Sequence, residues 1–381
     1  MLAPRELALT TEWRPLGELA GVADEWRALA RRAAEPNVFY EPDFALAAAQ
    51  ALAPDAGAVL VHGLEPRRLI GLFPCRIERA RYGVRLPLLV GWAHPYGPLG
   101  TPLVDPDALV PAVKAFIDHV ASDDTMPKLL MMPYLVEDGP VAIALAGAIA
   151  RRGGRIASFG SHQRALLAPG ADRAGYLEAA LGRKKRKELG RQRRRLDETG
   201  RVTFALARQP AEVAAAMEDY FALEARGWKG AGGTAAAQTT AVRGFMANAA
   251  AALAAQGQAR VARLLHGDRP IAIGVLLTSG RGSWFWKVAY DEAAARASPG
   301  VQLTLDLTDA ILRDDAIAWC DSCATEGHAM IDSLWRERRP MADFLCTLAP
   351  GFDFALACRL EALRRGAIAT GRLVRALVTG R

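Results

Sequence analysis

One local pattern occurs twice in this chain, about 200 residues apart, and it limits the folds open to it more than anything else. The first copy reads VLVHG followed by RRLIGLFP; the second reads ARLLHG followed by RPIAIGVLL. Each copy is a strand, a polar turn and an Ile-Gly strand, with Gly63 and Gly71 eight residues apart in one and Gly267 and Gly274 seven apart in the other. Two such hairpins embedded in similar surroundings predict a duplicated unit.

The surroundings are similar. In the first part, helical spacing of apolar residues runs over Asp24–Ala34 and Asp43–Leu52. Strands are expected at Ala58–Val61, Leu69–Cys75 and Leu86–Val90, followed by a helix over Pro111–Val120, a strand at Lys128–Pro133, a helix at Val141–Arg151 and a strand near Ser158–Leu167. After Pro169-Gly170 the series resumes with a helix over Tyr176–Thr199, a strand at Val202–Ala207 and helices over Ala211–Arg226 and Thr239–Gln256. The repeated hairpin follows, then a strand at Trp284–Tyr290 and a helix over Val301–Asp314. Helices alternating with strands make this an α/β chain of two like units, expected over residues 1–168 and 169–350, with a basic amphipathic helix over 351–381.

The net charge of +7 suggests a nucleic-acid binder only until it is mapped. Arg183–Arg195 holds nine basic residues against Glu188, and Arg359–Arg381 holds six arginines against Glu361, so the remaining chain is net acidic. Basicity therefore marks two local surfaces and not a general affinity for polyanions. No apolar run approaches the ~20 residues needed to cross a bilayer. The N-terminus lacks the pattern of a secretory signal, and five cysteines give no disulfide framework, so a cytoplasmic location is expected. Cys320 and Cys323 form a CxxC, but no second CxxC exists and the spacing to His328 and Cys346 suits no standard zinc site; no metal is expected.

Three stretches in order, LEARGWKGAGGTA (Leu223–Ala235), WKVAYDEAAARASPGVQL (Trp286–Leu303) and CDSCATEGHAMIDSLWRERR (Cys320–Arg339), resemble the BioF2-like acetyltransferases. That group includes the CelD-like proteins of cellulose biosynthesis and is related to the FemAB-type aminoacyltransferases. The match covers Tyr176–Leu348, and NVFYEPDF (Asn37–Phe44) extends it loosely into the first unit. The resemblance implies tandem GCN5-related N-acetyltransferase (GNAT) domains with mixed central sheets. It also implies acyl transfer from acetyl-CoA to an amine or hydroxyl of a polar, sugar-containing acceptor in cell-envelope or polysaccharide metabolism. The alternatives are a FemAB-like transferase using aminoacyl-tRNA, which is where RNA would enter as a partner, and a non-catalytic scaffold of a polysaccharide-synthesis complex.

Residues can be matched to these roles. Ser298 suits a helix N-cap and Pro299 the first helical position, which would leave the amides of Gly300, Val301 and Gln302 facing the donor's pyrophosphate. The usual GNAT phosphate loop, Gln or Arg followed by Gly-x-Gly or Gly-x-Ala, is absent. His328 with Asp321 and Asp332 is the expected acid–base set. Strict alternation puts Trp284, Trp286 and Val288 on one face and Lys287 with Phe285 and Ala289 on the other, Lys287 serving a phosphate or a developing oxyanion. Arg226, Trp228 and Lys229, with Tyr290 and Asp291, are expected at a small-molecule or glycan-linked acceptor. The helix Gly182–Leu196 stacks Arg183, Lys187, Arg191 and Arg194 or Arg195 along one side, and the C-terminal helix could meet an anionic membrane surface.

Overall fold

A computed structural model describes residues 8–170, 173–227, 236, 239–348 and 353–379, the side chains of 372–379 excepted. Its strands form one sheet, in the order β1-β2-β3-β4-β6-β13-β7-β12-β11-β10-β9-β8, with β5 on β3. The first seven strands are Leu9–Pro15, Gly57–Leu64, Arg67–Glu78, Leu88–Gly91, Leu103–Val104, Leu129–Val136 and Arg155–Leu167 (β1–β7). The rest are Val202–Ala207, Ala259–His266, Arg269–Ser279, Gly282–Tyr290, Trp319–Asp321 and Glu337–Thr347 (β8–β13).

Read inward from either edge, the sheet repeats itself. β1 to β4 are antiparallel neighbours and β6 joins β4 in parallel; β8 to β11 are antiparallel neighbours and β12 joins β11 in parallel. The duplication expected from the hairpins is thus a duplication of pairing order. The two closing strands are exchanged. β7, which ends the first unit, lies beside β12 of the second, while β13, which ends the second, lies between β6 and β7. The expected boundary after Ala168 therefore falls within a sheet that runs through both units.

The helices are Ala23–Arg32, Pro42–Leu52, Leu109–Ser122, Pro140–Arg151 and Tyr176–Ala180 (α1–α5), then Arg183–Thr199, Pro210–Arg226, Thr240–Ala255, Pro299–Leu312 and Asp353–Thr379 (α6–α10). One expectation fails here. The single helix over Tyr176–Thr199 is broken at Leu181-Gly182, where Leu181 turns inward and Gly182 adopts an extended backbone ahead of α6. Tyr176 fixes the short α5, its hydroxyl donating to Glu337 (2.7 Å) and accepting from the Arg336 amide (3.0 Å).

On one face of the sheet a single apolar core runs through both units, joining α1 and α2 of the first to α7 and α8 of the second. Phe44 on α2 meets Phe245 on α8 edge to face at 5.2 Å. The NVFYE segment supplies the polar stitches. Asn37 accepts from the Phe39 amide and donates to the carbonyls of Leu99 and Thr101. The buried Glu41 accepts from Ser279 Oγ (2.6 Å) and Gln258 Nε2 (3.0 Å) of the second unit. Burial pushes the Glu41 carboxyl up, and these two donors act in the opposite direction.

The C-terminal helix packs on the sheet. Phe354, Ala357 and Glu361 of α10 are buried, and Glu361 receives hydrogen bonds from Arg81 (3.5 Å), Arg364 (3.1 and 2.6 Å) and Arg365 (2.7 Å). The face it buries is not the leucine face expected from the sequence, since Leu356 and Leu363 remain exposed. No helix among the described residues is long and apolar enough to cross a membrane.

Two predictions follow from these joints. Glu41→Ala strands the Ser279 hydroxyl and the Gln258 amide and should cost ~1–3 kcal/mol, read as a lowered urea midpoint. For Glu361, burial alone would raise the pKa, but the Arg364 hydrogen bond and the charges of Arg81, Arg364 and Arg365 hold it down to about 2, against an ordinary 4.5. Its contribution should be complete above the ordinary value and fade as pH falls toward 2, so urea midpoints of wild type and Glu361→Gln should converge between pH 5 and pH 2.

Candidate functional site

Strand β11 carries an irregularity that organises the site. Val275 pairs with Lys287 but Leu276 pairs with Phe285, so Trp286 is an extra residue on β11. The bulge overturns the alternation expected for this strand. Trp284 and Trp286 lie in the core shared by both units, Phe285 and Val288 on the opposite face, and Lys287 joins the tryptophan side. There its ammonium sits 4.7 Å from the centre of the Tyr96 ring and 3.5 Å from the Pro95 carbonyl.

Lys287 thereby enters a cavity of about 220 Å³ built by both units. The first contributes Pro95 and Tyr96, and the second contributes Tyr220, Glu224, Met246 and Lys287. Trp286 Nε1 donates to the Tyr96 carbonyl (2.6 Å), which fixes the loop from the first unit against the bulge. Glu224 is 6% exposed, and its oxygens accept from the Tyr220 hydroxyl (2.8 Å) and the Ala236 amide (2.9 Å). Burial, with Glu224 beside it, pushes the Tyr220 phenol up, so it stays protonated and donates. His94 lies behind, packed on Phe44 and Trp92; burial and then the Lys287 charge push it down to about 4, which keeps the ring neutral.

Beside the bulge the sheet opens. β12 pairs with β11 only over Gly282–Trp284, and β11 then runs on to Tyr290 against β10 but without β12, since the chain leaves β12 at Asp321. The helix α9 points its N-terminus at this end of β11. Ser298 occupies the N-cap position with φ 52° and makes no capping bond through its side chain, and Pro299 is the first helical residue. Among the described residues the Gly300 and Val301 amides have no backbone acceptor, as expected. Gln302 departs from expectation: its amide donates to the Ser298 carbonyl (3.0 Å) and its side chain to the Leu189 carbonyl of α6 (2.8 Å), so it ties two helices together. A Cβ on Gly300 would stand 3.3 Å from the Tyr290 ring and 3.5 Å from the Met330 sulfur. Two unsatisfied amides at the start of a 14-residue helix fit a diphosphate.

The expected acid–base set does not assemble. Asp321 is fully buried, with Oδ2 3.1 Å from Arg339 and 3.6 Å from Arg164 and Oδ1 accepting from the Cys323 amide (2.8 Å). It serves as counter-ion to two guanidiniums. His328 stands exposed on a turn, and its ring forms no hydrogen bond to a described residue. Asp332 is half-buried, its amide donating to the His328 carbonyl (3.0 Å). Asp291 accepts from the Ala293 amide (3.0 Å) and pairs with Arg269, a turn-forming role. Arg226 is exposed at the end of α7, Tyr290 is 37% exposed, and Trp228 and Lys229 lie outside the described residues. Burial and Asp321 push the Cys323 thiol well up, which makes it a poor nucleophile.

Sequence reasoning missed Glu224 and Tyr96 as site residues. Glu224 had a signal, a carboxylate in line with Val213, Met217, Tyr220 and Phe221 on the apolar side of a helix. Tyr96 had none, because only the junction of the units brings it to Lys287.

An opened parallel pair, a bulge and a helix N-terminus aimed at the gap are one arrangement, and the family comparison agrees with it. Residues 183–335 match the family model described as an acetyltransferase (GNAT) domain. This part of the chain is a GNAT domain. No curated protein matches the chain. Among solved structures it is similar to FemX (10% identity, TM-score 0.58, covering 85% of this chain and 95% of that one). It is also similar to a conserved protein of unknown function from Bacteroides thetaiotaomicron VPI-5482 (10%, 0.57, 89% and 100%). A third is the C-terminal domain of a protein assigned as a lysylphosphatidylglycerol synthetase from Agrobacterium fabrum (13%, 0.56, 90% and 96%). At these identities the likeness is one of fold, and it extends well beyond the GNAT domain into the first unit.

If the start of α9 receives phosphate, Gly300→Asp should weaken acetyl-CoA binding at least ~10-fold, because a carboxylate would face the same two amides. Calorimetry on the folded variant checks this; unchanged affinity would place the phosphate elsewhere.

Proposed function

We propose that the protein is an acyltransferase that moves an acetyl group from acetyl-CoA to an amine or hydroxyl of a polar, sugar-containing acceptor. The observation that carries this is the cavity holding Glu224 and Lys287 beside the opened β11–β12 pair, with the free amides of α9 at the same end of β11. Gly300 and Val301 would hold the donor's diphosphate, and the donor supplies the activated thioester. The acceptor reaches the thioester carbonyl from the cavity side.

In this reading Glu224 takes the acceptor's proton as the new bond to the acyl carbon forms. Tyr220 holds the carboxylate in place, and the Lys287 ammonium offsets negative charge developing on the carbonyl oxygen. Collapse breaks the carbon–sulfur bond, and CoA leaves as thiolate, to be protonated from solvent. A setting in cell-envelope or polysaccharide metabolism, in the cytoplasm, accords with the resemblance to the BioF2-like and CelD-like proteins.

A second reading, transfer from aminoacyl-tRNA, is favoured by one feature of α6. Arg183, Arg186, Lys187, Arg191 and Arg194 line a shallow groove over Gly190, a cationic track suited to a phosphodiester backbone. The fold likeness to FemX accords with it. Acetyl-CoA binding by calorimetry separates the two readings, since only the first requires it.

Glu224→Gln should lower turnover ~10²–10⁴-fold with acetyl-CoA affinity unchanged, while His328→Ala should turn over normally. The opposite pattern, a silent Glu224→Gln and an inactive His328→Ala, would return the proton to His328.

A further inference from the structure

The C-terminal helix α10 is inverted for a surface helix. Phe354, Ala357 and Glu361 are buried against the sheet, while Leu356 (48% exposed), Leu363 (70%) and Ile368 (41%) meet solvent. Positions 356, 359, 363, 367 and 370 recur at helical spacing, so Leu356, Leu363, Ala367 and Thr370 form one exposed stripe interrupted by a single charge, Arg359. From Gly366 to Gly371 every residue is exposed, so the helix has left the body of the protein there, and its backbone stays helical to Thr379. A free helical segment of this length is marginal in water and gains its stability when an apolar face is covered.

A second segment joins this surface. The loop between β3 and β4, residues 79–87, lies against α10: Arg81 donates to Glu361 (3.5 Å), and Tyr82 packs on the same apolar cluster as Cys358 and Leu360. The loop presents Val84 (45% exposed) between the exposed Arg79 and Arg85.

The charges here are one-sided. Arg364 and Arg365 are engaged by Glu361 and Asp343, and Glu78 pairs with Arg76 and Arg81. Arg79, Arg85 and Arg359 pair with no carboxylate among the described residues. Asp353, in the first turn, is the exposed acid of α10; Glu361 is buried, and the sequence after it adds five arginines and no acid. Exposed leucines among unpaired arginines call for a partner that is both apolar and anionic. A second copy of the chain would cover the leucines but set Arg79, Arg85 and Arg359 against their own counterparts, because a two-fold contact pairs one patch with itself. The interface of an anionic bilayer meets both demands, taking apolar side chains at the acyl boundary and guanidiniums at the phosphates.

We propose that α10 and the β3–β4 loop form a docking surface for a bilayer rich in anionic phospholipid. Leu356, Leu363 and Val84 enter the interface, and Arg79, Arg85 and Arg359 meet lipid phosphates. The proposal is independent of the acyl-transfer reading.

Co-flotation of the full chain with vesicles tests it. The protein should float with vesicles of phosphatidylglycerol and phosphatidylcholine in equal parts, should partition at least ~10-fold less onto phosphatidylcholine alone, and should be released by high salt. The double variant Leu356→Glu/Leu363→Glu should lower the partition coefficient at least ~10-fold. Arg79→Gln/Arg85→Gln should lower it by ~10-fold as well, although neither residue lies on α10. All four side chains are exposed, so the urea midpoints of both variants should match the wild type. A wild-type protein that floats with neither vesicle, or equally with both, overturns the proposal whatever the variants do. Undiminished flotation of either double variant overturns it too. A wild type that is dimeric by sedimentation equilibrium, with Leu356→Glu/Leu363→Glu monomeric, assigns the leucines to a second copy of the chain and overturns it as well.

Discussion

Every feature of the site depends on the antiparallel pairing of β13 with β6 on one side and β7 on the other. That pairing makes two GNAT-like sheets into one and fixes the angle between them. Pro95 and Tyr96 on a loop of the first unit can then close a cavity whose other walls, Glu224 and Lys287, belong to the second. Glu41, bonded to Gln258 and Ser279, and Trp286, bonded to the Tyr96 carbonyl, hold the same junction from the shared core. Such bonds are worth about 1 kcal/mol each, but their directionality sets the register of one unit on the other.

The two units are alike in pairing order and unlike in chemistry. In the second, the helix that follows the fourth strand begins with free amides at Gly300 and Val301. In the first, the corresponding helix α3 is preceded by Asp105, whose buried carboxylate accepts from the Asp107 amide (3.0 Å) and pairs with Arg32 (2.7 Å) and Arg68 (3.3 Å). A carboxylate of the protein already occupies the place where an anion would bind. The first unit therefore acts as a wall of the cavity, and the free helix amides belong to the second.

Much of this was legible in the sequence, for reasons that can be named. Period-3.6 apolar spacing marked the main helices, and the paired Ile-Gly hairpins marked the duplication, because these signals arise within one element. What escaped reading arises between elements. β13 opens with Glu-Arg-Arg-Pro, a poor strand by propensity, and is drawn into the middle of the sheet by Asp321 and the open edges of β6 and β7. The bulge at Trp286 leaves no mark in a run of apolar residues, yet it reverses the side on which Lys287 lies. Gly182 could be read as tolerated within a helix; the burial of Leu181 and Leu189 decides that it ends one. His328 is expected from its residue type and from the motif it shares with Asp321 and Asp332, and neither carries information about exposure.

The exchange of closing strands also governs the order in which the molecule can be made. A ribosome delivers the first unit complete in helices, but the partner of β6 is specified about 200 residues later, when β13 at last emerges. Until then β6 presents an unpaired hydrogen-bonding edge, the kind of surface that chaperones cover and that neighbouring nascent chains can capture. Neither unit can mature before the other has been translated. The chain thereby defers its commitment to a native state until β13 has emerged, and a product cut short before Glu337 is left with an open sheet that cellular quality control can detect.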